Sequence, residues 1–166
     1  MRRTAFSILL AITVLAAVAP AGAAKDREPV TFDPFTLPAN RCGFPIAVEV
    51  VSNKEYQDVV TLPDGTTITR ITGKLVLSFT NTVTGFAIVQ NVSGPSTEID
   101  HPDGTVTEIL EGHSWFGFGP ISQGNIGQPG LVFTSGRVVL QAAGGAVTSF
   151  SLSGKQVNGC ELLLGG

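Results

Sequence analysis

From Cys42 onward, apolar and polar residues alternate with a period of two, which is typical of β-strands. β-branched residues dominate, and no window of a dozen residues places apolar side chains at helical spacing. The alternation therefore predicts a series of short strands. They cover residues 45–51, 57–62, 66–72, 74–81, 86–92, 96–100, 105–116, 131–134, 137–141 and 147–154, with continuation into 161–164 as an open alternative.

The residues between these strands are those that tight β connections require, because Gly and Asx supply positive φ. Consecutive strands joined by short turns are antiparallel neighbours. The sequence therefore predicts an all-β antiparallel meander of about eight to ten strands, closed as a barrel or, alternatively, folded as a β-sandwich. The predicted turns are Asn53-Lys54, Asp64-Gly65, Thr84-Gly85, Asp103-Gly104, Ser135-Gly136 and Gly144-Gly145.

One segment recurs within the chain. LPDGTTITRITGK at 62–74 and HPDGTVTEILEGH at 101–113 share Pro-Asp-Gly-Thr and a second glycine eight residues after the first. Pro-Asp-Gly favours a tight turn, since Pro presets φ, Asp bonds the local backbone and Gly takes the left-handed position. Recurrence of a favourable turn and duplication of a hairpin both explain the similarity.

The first residues resemble an export signal. Arg2 and Arg3 precede an apolar run over 5–18, followed by Pro20 and small residues at 21–24. Such a run is typical of a secretory signal and short for a membrane span. We predict a cleaved signal peptide at 1–23, with an uncleaved membrane anchor as the alternative. The mature protein is then secreted and has no membrane span, with an extended arm at 24–41 and a single β-barrel-like domain at 42–166.

The chain has two cysteines, Cys42 and Cys160, near the two ends of this domain. In an oxidising compartment an isolated pair is most simply a disulfide. Closing so long a loop removes about 4–5 kcal/mol of unfolded-state entropy in the chain-entropy model. A bridge between the ends also favours barrel closure over a sandwich. Two free thiols are the alternative, although the chain has no C-x-x-C motif.

Composition excludes some partners. The whole chain has 10 Lys and Arg, two of them in the predicted signal, against 13 Asp and Glu. No basic stripe is present, so nucleic acid and anionic membrane surfaces are not expected partners.

Rare residues cluster in DHPDGTVTEILEGHSWF at 100–116, which contains both histidines and the only tryptophan. A metal site there would use His101, Asp103 and His113, with Glu111 as a further ligand. If the turn lies at Asp103-Gly104, the two imidazoles are on the order of 20 Å apart along the strand. We therefore predict no metal site and no cofactor, and we interpret His101 as a turn residue in the place of Leu62.

Catalytic patterns are also weak. Ser114 follows His113 directly, and Glu108 lies three residues before Glu111, so within a strand each pair points to opposite faces. The chain lacks a G-x-S-x-G elbow, and its Gly-rich segment at 116–130 lacks the lysine and the context of a phosphate loop. We predict no catalytic residues. Asn91-Val92-Ser93 is a sequon whose use depends on the host.

The segment from Trp115 to Gly130 contains the longest predicted connection of the β domain, and long loops in compact domains are often functional. Its aromatic residues could form the lip of an apolar ligand site or plug one end of the barrel as core. The candidate ligand-binding residues are His113, Trp115, Phe116 and Phe118.

Several short motifs resemble those of small secreted β-proteins of actinomycetes. They are RCGFP at 41–45, NTVTG at 81–85, NVSGP at 91–95, HPDGT at 101–105 and GH at 112–113. The resemblance covers most of residues 41–120, rests mainly on turns, and implies an exported β-domain without any activity or catalytic residue to carry over. Lipocalins and allene-oxide-cyclase-like barrels are similar in outline only, and fold does not imply function.

These observations favour a secreted, non-enzymatic β-barrel that binds a small apolar ligand or a cell-surface component. One alternative is a structural or interaction protein of the cell envelope with a filled barrel. Another is a barrel-type isomerase or cyclase that uses His113. The oligomeric state stays open.

Overall fold

The computed structural model of the protein describes residues 27–119 and 130–165. The predicted signal peptide, the first residues of the arm and most of the 116–130 segment lie outside these ranges. The described chain forms nine strands and one short helix. They are β1 (Glu28–Pro29), β2 (Phe35–Leu37), β3 (Ile46–Thr61), β4 (Thr67–Asn81), β5 (Ala87–Asn91), β6 (Ser96–Asp100), β7 (Thr105–Phe116), β8 (Val132–Ala143), β9 (Ala146–Asn158) and α1 (Gly159–Leu162).

All nine strands belong to one antiparallel sheet with the order β1-β3-β4-β6-β7-β8-β9. β2 also pairs with β3, and β5 pairs with β4. The predicted all-β meander is confirmed. The sheet is open, since no hydrogen-bonded pairing between β9 and β1, β2 or β3 occurs in the described part of the chain. Closure as a barrel is therefore not confirmed, and a single sheet is not the two-sheet sandwich either.

Four predicted turns are confirmed, and two are wrong. Asn53-Lys54 lies inside β3, and Ser135-Gly136 lies inside β8, so each pair of predicted short strands is one long strand. The predicted break between 66–72 and 74–81 is also absent, since β4 runs through Gly73. The local signals of a turn and of a mid-strand glycine are alike, which explains the errors at Gly73 and Gly136. The alternative strand at 161–164 is wrong, because Asn158 caps α1 by accepting from the backbone N–H groups of Cys160 and Glu161.

The two Pro-Asp-Gly turns have the same geometry. The Asp64 side chain accepts from the Thr66 N–H, and the Asp103 side chain accepts from the Thr105 N–H, each at 2.9 Å. The second glycine of each copy, Gly73 or Gly112, lies in the middle of the following strand with positive φ. The repeat therefore corresponds to two equivalent units, each a turn followed by a strand, which is β4 in one copy and β7 in the other.

A row of glycines, which we call the glycine row, crosses the sheet at mid-strand. Gly112, Gly136 and Gly154 are direct partners in β7, β8 and β9. Added Cβ atoms at Gly94 or Gly136 would overlap the carbonyl oxygens of Glu111 and Ser153 respectively. Glycine inside a strand marks a sharp bend or a close backbone approach. The row consists of Gly73, Gly112, Gly136 and Gly154 inside strands and of Gly94 in the connection before β6, and it permits close approach of the neighbouring backbones.

The main core lies on one side of the glycine row, between β3, β4 and β8. Phe79 is fully buried and contacts Phe133 edge to face at 4.9 Å between centroids. Leu163 closes the core from the segment after α1, and its carbonyl accepts from the Asn81 amide at 3.3 Å. The buried members are Leu37, Phe44, Ile46, Val48, Leu75, Leu77, Phe79, Val92, Leu131, Phe133 and Leu163.

The predicted disulfide is confirmed. Cys42 and Cys160 are bonded, with their Cα atoms 5.3 Å apart. The bond joins the segment before β3 to α1, so the two ends of the open sheet are linked covalently rather than by strand pairing.

No helix in residues 27–119 or 130–165 is both long and apolar enough to cross a membrane.

Candidate functional site

A cavity of about 380 Å³, partly open to solvent, lies between the arm and the inner parts of β3, β4, β6 and β7. We call it the arm cavity. Its walls are mainly apolar, and a few polar groups interrupt them. The lining residues are Val30, Phe32, Glu55, Ile71, Leu75, Val92, Gly94, Ser96, Glu108, Leu110, His113, Ser114, Trp115, Phe116 and Gly117.

Strand register assembles the floor of the arm cavity. Ile71 pairs with Ser96, and Ser96 pairs with Leu110. Direct partners in an antiparallel ladder project from the same face, so these three side chains form a row across β4, β6 and β7. Glu108 lies on the same face as Leu110, two residues away, and its cross-strand partner is Glu98.

The arm supplies one wall. The Val30 N–H donates to the Glu55 carbonyl at 3.0 Å, and the Asn53 amide donates to the Val30 carbonyl at 2.8 Å. Phe32 contacts Phe35 with 5.8 Å between ring centroids. The arm is thus held against β3 and places Val30 and Phe32 at the cavity.

Trp115 is the central aromatic residue of the site. It is half-buried, stacks on Phe35 at 5.9 Å and meets Phe79 edge to face at 5.4 Å. One end of the indole is therefore fixed by core and arm contacts, while the residue still lines the arm cavity.

The four candidate ligand-binding residues occupy two different environments in the structure. His113, Trp115 and Phe116 line the arm cavity, with His113 exposed at its rim. Phe118 is buried, stacks on Phe116 at 5.8 Å and contacts Phe150 edge to face at 5.4 Å. Phe118 thus packs as core, and its contribution to the cavity is to support Phe116.

Carboxyl groups are the distinctive chemistry of the arm cavity. Burial raises the pKa of Glu108, and the negative charge of Glu98 raises it further. Burial also raises the pKa of Glu55. Glu98 has a raised pKa too, from loss of hydration and then from the charge of Asp100, although its residue surface is exposed. Deprotonated forms of these groups are therefore disfavoured in the fold.

A pH-dependent stability effect follows for Glu108. Its folded-state pKa lies above its unfolded value, so the folded state binds more protons between the two, and stability falls as pH rises through that window. Glu108→Gln removes this effect. We expect its free energy of unfolding to exceed that of the wild type increasingly as pH rises above about 4, and the difference to level off above the folded-state pKa of Glu108, as measured by urea denaturation.

Glu111→Gln is the matched control. The Glu111 carboxylate is exposed and pairs with Arg137 at 3.6 Å, so its removal should change stability by less than about 0.5 kcal/mol. A stability difference between Glu108→Gln and wild type that is constant with pH would contradict the assignment.

The residues of the metal hypothesis are not brought together. His101 lies at a second cavity of about 330 Å³ beside Asp103 and Thr107, and its Nε2 is 3.2 Å from the Thr107 hydroxyl. His113 lies near the other end of β7, at the arm cavity. In the described ranges no three His, Cys, Asp or Glu residues are grouped so that they could hold a metal ion.

Sequence reasoning missed the contribution of Glu55, Val30 and Phe32. Glu55 lies between the predicted turn at Asn53-Lys54 and the predicted strand at 57–62, and no local pattern identifies it as a cavity residue. The sequence places Glu108 on one strand with Glu111 and His113, whereas its neighbours at the site come from β6 and from the arm cavity. The register of β3, β4 and β6 was needed to find these groups.

Comparison of the chain with protein-family models, with curated proteins and with solved structures found no match in any of the three.

Proposed function

We propose that this chain is an exported β-domain that binds a small, mainly apolar molecule in the arm cavity. The observation that carries the proposal is the cavity itself. Its volume of about 380 Å³ falls in the range of small-molecule sites, and such sites combine apolar walls with a few polar groups. Among the described residues, the aromatic side chains of Phe32, Trp115 and Phe116 line it.

The surroundings of the cavity support a preformed site. Trp115 is held by Phe35 and Phe79, and Phe116 is held by Phe118 and Phe150 at 5.8 and 5.3 Å. Rings fixed by their neighbours lose little freedom when a ligand binds, so less binding energy is lost to ordering. A filled structural domain of the cell envelope has no use for such a cavity, which favours ligand binding over that alternative.

Export is the second part of the proposal. A structural disulfide is typical of oxidising compartments, and Cys42–Cys160 is consistent with one. The leader-like pattern of residues 1–23 supports the same location.

Binding of phenylbutanol, a neutral and mainly apolar probe, tests the proposal. At ten times its Kd the probe should raise the free energy of unfolding by about 1.4 kcal/mol and so raise Tm by a few degrees. The fluorescence of Trp115, the only tryptophan, should change with the same concentration dependence.

Two variants locate the site. Ser96→Phe places a ring in the floor of the arm cavity and should abolish both responses. Thr97→Phe adds the same ring one residue further along β6, on the opposite face, and should leave them intact. No response of the wild type up to the solubility limit of the probe, or equal responses of the two variants, would contradict the proposal.

A second candidate is acid–base catalysis in the same cavity, as in an isomerase or cyclase. The specific observation in its favour is that Glu108, with its raised pKa, and His113 line one cavity, since perturbed carboxyl groups in clefts suit proton transfer. Mass spectrometry of a ligand captured from culture medium distinguishes the two functions. A binding protein returns the ligand unchanged, whereas an enzyme returns a product, and Glu108→Gln or His113→Ala would then suppress its formation.

A further inference from the structure

We infer that the ligand of the arm cavity is an apolar amine, whose ammonium group is bound by the carboxylate of Glu108. The inference rests on the proposed ligand-binding function and specifies the chemical class of the ligand. It follows from the charges that line the cavity, from the lack of internal partners for them, and from the aromatic walls.

The cavity has an acidic character. Its ionisable lining residues are Glu55, Glu108 and His113, and none of the described lining residues is lysine or arginine. Glu98, the direct partner of Glu108, adds a further negative charge beside the cavity, and Asp100 follows on the same strand. A ligand carboxylate would meet this negative charge without a fixed cation to bind it.

The cationic side chains near the arm cavity do not point into it. Lys54 pairs with Lys74, one residue from Glu55 along β3, and consecutive strand residues project to opposite faces. Arg27 approaches the Thr72 hydroxyl at 3.4 Å, and Thr72 is on the opposite face of β4 from Ile71. Arg137 pairs with Glu111 outside the cavity.

Neither cavity carboxyl group is satisfied within the fold. In the described parts of the chain, the side chains of Glu55 and Glu108 have no hydrogen-bond or ion-pair partner. A carboxylate that has lost part of its hydration without gaining a partner is unfavourable. A ligand ammonium supplies both the opposite charge and the hydrogen-bond donors, and charge-assisted hydrogen bonds are the stronger kind.

The aromatic residues suit the same ligand class. Phe32, Trp115 and Phe116 line the cavity together with Leu75, Val92 and Leu110. The apolar residues bury the hydrocarbon part of a ligand, and aromatic faces attract an adjacent cation. An apolar body with one ammonium group therefore matches both components of the cavity, whereas an apolar carboxylate matches only the first.

Three size-matched probes test the inference by isothermal titration calorimetry at about pH 7.5, where the amine is charged. We expect phenylbutylamine to bind about tenfold or more tightly than phenylbutanol, as a hydrogen bond to a charged group implies. Phenylbutyrate should bind more weakly than the alcohol.

Glu108→Gln should reduce the preference for amine over alcohol to nearly one, while the affinity for the alcohol stays within a few-fold. Glu98→Gln is the matched control, because it removes the same charge from the paired position on β6 but does not line the cavity, and it should retain most of the preference. Glu55→Gln provides a second test if Glu108→Gln does not fold, and should lower the preference in part.

The outcomes are distinct. Equal binding of amine and alcohol to the wild type, or tighter binding of phenylbutyrate, would overturn the amine inference and leave the proposed function standing. Binding of none of the three probes would overturn the proposed function itself. A preference for the amine that survives in Glu108→Gln and is lost in Glu98→Gln would move the cation site out of the arm cavity and overturn the inference.

Discussion

Replacing both Cys42 and Cys160 by serine should lower the free energy of unfolding by about 4–5 kcal/mol. The two cysteines are 118 positions apart in sequence, so the bond closes a loop that includes nearly the whole sheet. It also holds α1 against the segment before β3, and Leu163, just after α1, is fully buried in the core. Urea denaturation followed by Trp115 fluorescence measures the loss.

The control for this prediction is the wild type in reducing agent. Reduced wild type and the double serine variant should unfold at similar urea concentrations, because both lack the same covalent constraint. A double variant that loses less than about 1 kcal/mol would contradict the view that this bond supplies a large share of the stability. It would show that the open sheet holds its two ends together by packing alone.

The glycine row should be the second sensitive feature. Gly136→Ala should cost about 3 kcal/mol, because φ is +135° there and the new Cβ would overlap the Ser153 carbonyl oxygen. Gly94→Ala should cost a similar amount for the steric reason alone, since its Cβ would overlap the Glu111 carbonyl oxygen. Thermal and urea unfolding measure both losses.

Gly85→Ala is the matched control for backbone conformation. Gly85 also has positive φ, at +77°, but nothing lies within 4 Å of its added Cβ, so the substitution should cost only about 1 kcal/mol. Equal costs at Gly85 and Gly136 would contradict the close strand approach across the row.

Much of the fold is predictable because it depends on local chemistry. Alternating β-branched residues determine the strands, and Asp64-Gly65 and Asp103-Gly104 supply the backbone conformations of two hairpin turns. The disulfide follows from there being two cysteines in a chain with a leader-like start. These inferences require no knowledge of which distant strands meet.

The wrong turn at Ser135-Gly136 and the predicted break at Gly73 have one physical origin. A glycine with positive φ is compatible with a turn and with a close strand approach, and only the neighbouring strands decide between them. The sequence predicts a turn at Gly136, whereas the structure pairs it with Gly112 and Gly154, and the local sequence does not identify this register. The disulfide does not require barrel closure, because Cys160 reaches Cys42 from α1 without any pairing of β9 with β3.

The candidate site was predictable only in part. His113 and Trp115 are two residues apart in a strand and therefore share a face, and both line the arm cavity. The sequence does not show that Phe118 is a core residue rather than a cavity residue, because its burial depends on contact with Phe150, which is far along the chain. Glu55 and Glu108 both reach the cavity because β3 pairs with β4, β4 with β6 and β6 with β7. No single segment of the sequence encodes this series of pairings.

Nuclear Overhauser contacts between bound phenylbutanol and assigned methyl groups directly test whether the arm cavity binds a small apolar molecule. We predict contacts from the phenyl protons to Ile71 and Leu110, which line the cavity, and none to Ile109 or Val139, which pair with each other on the opposite face of β7 and β8. Contacts confined to exposed residues such as Val83 and Val89, or no contacts at saturating probe, would contradict it.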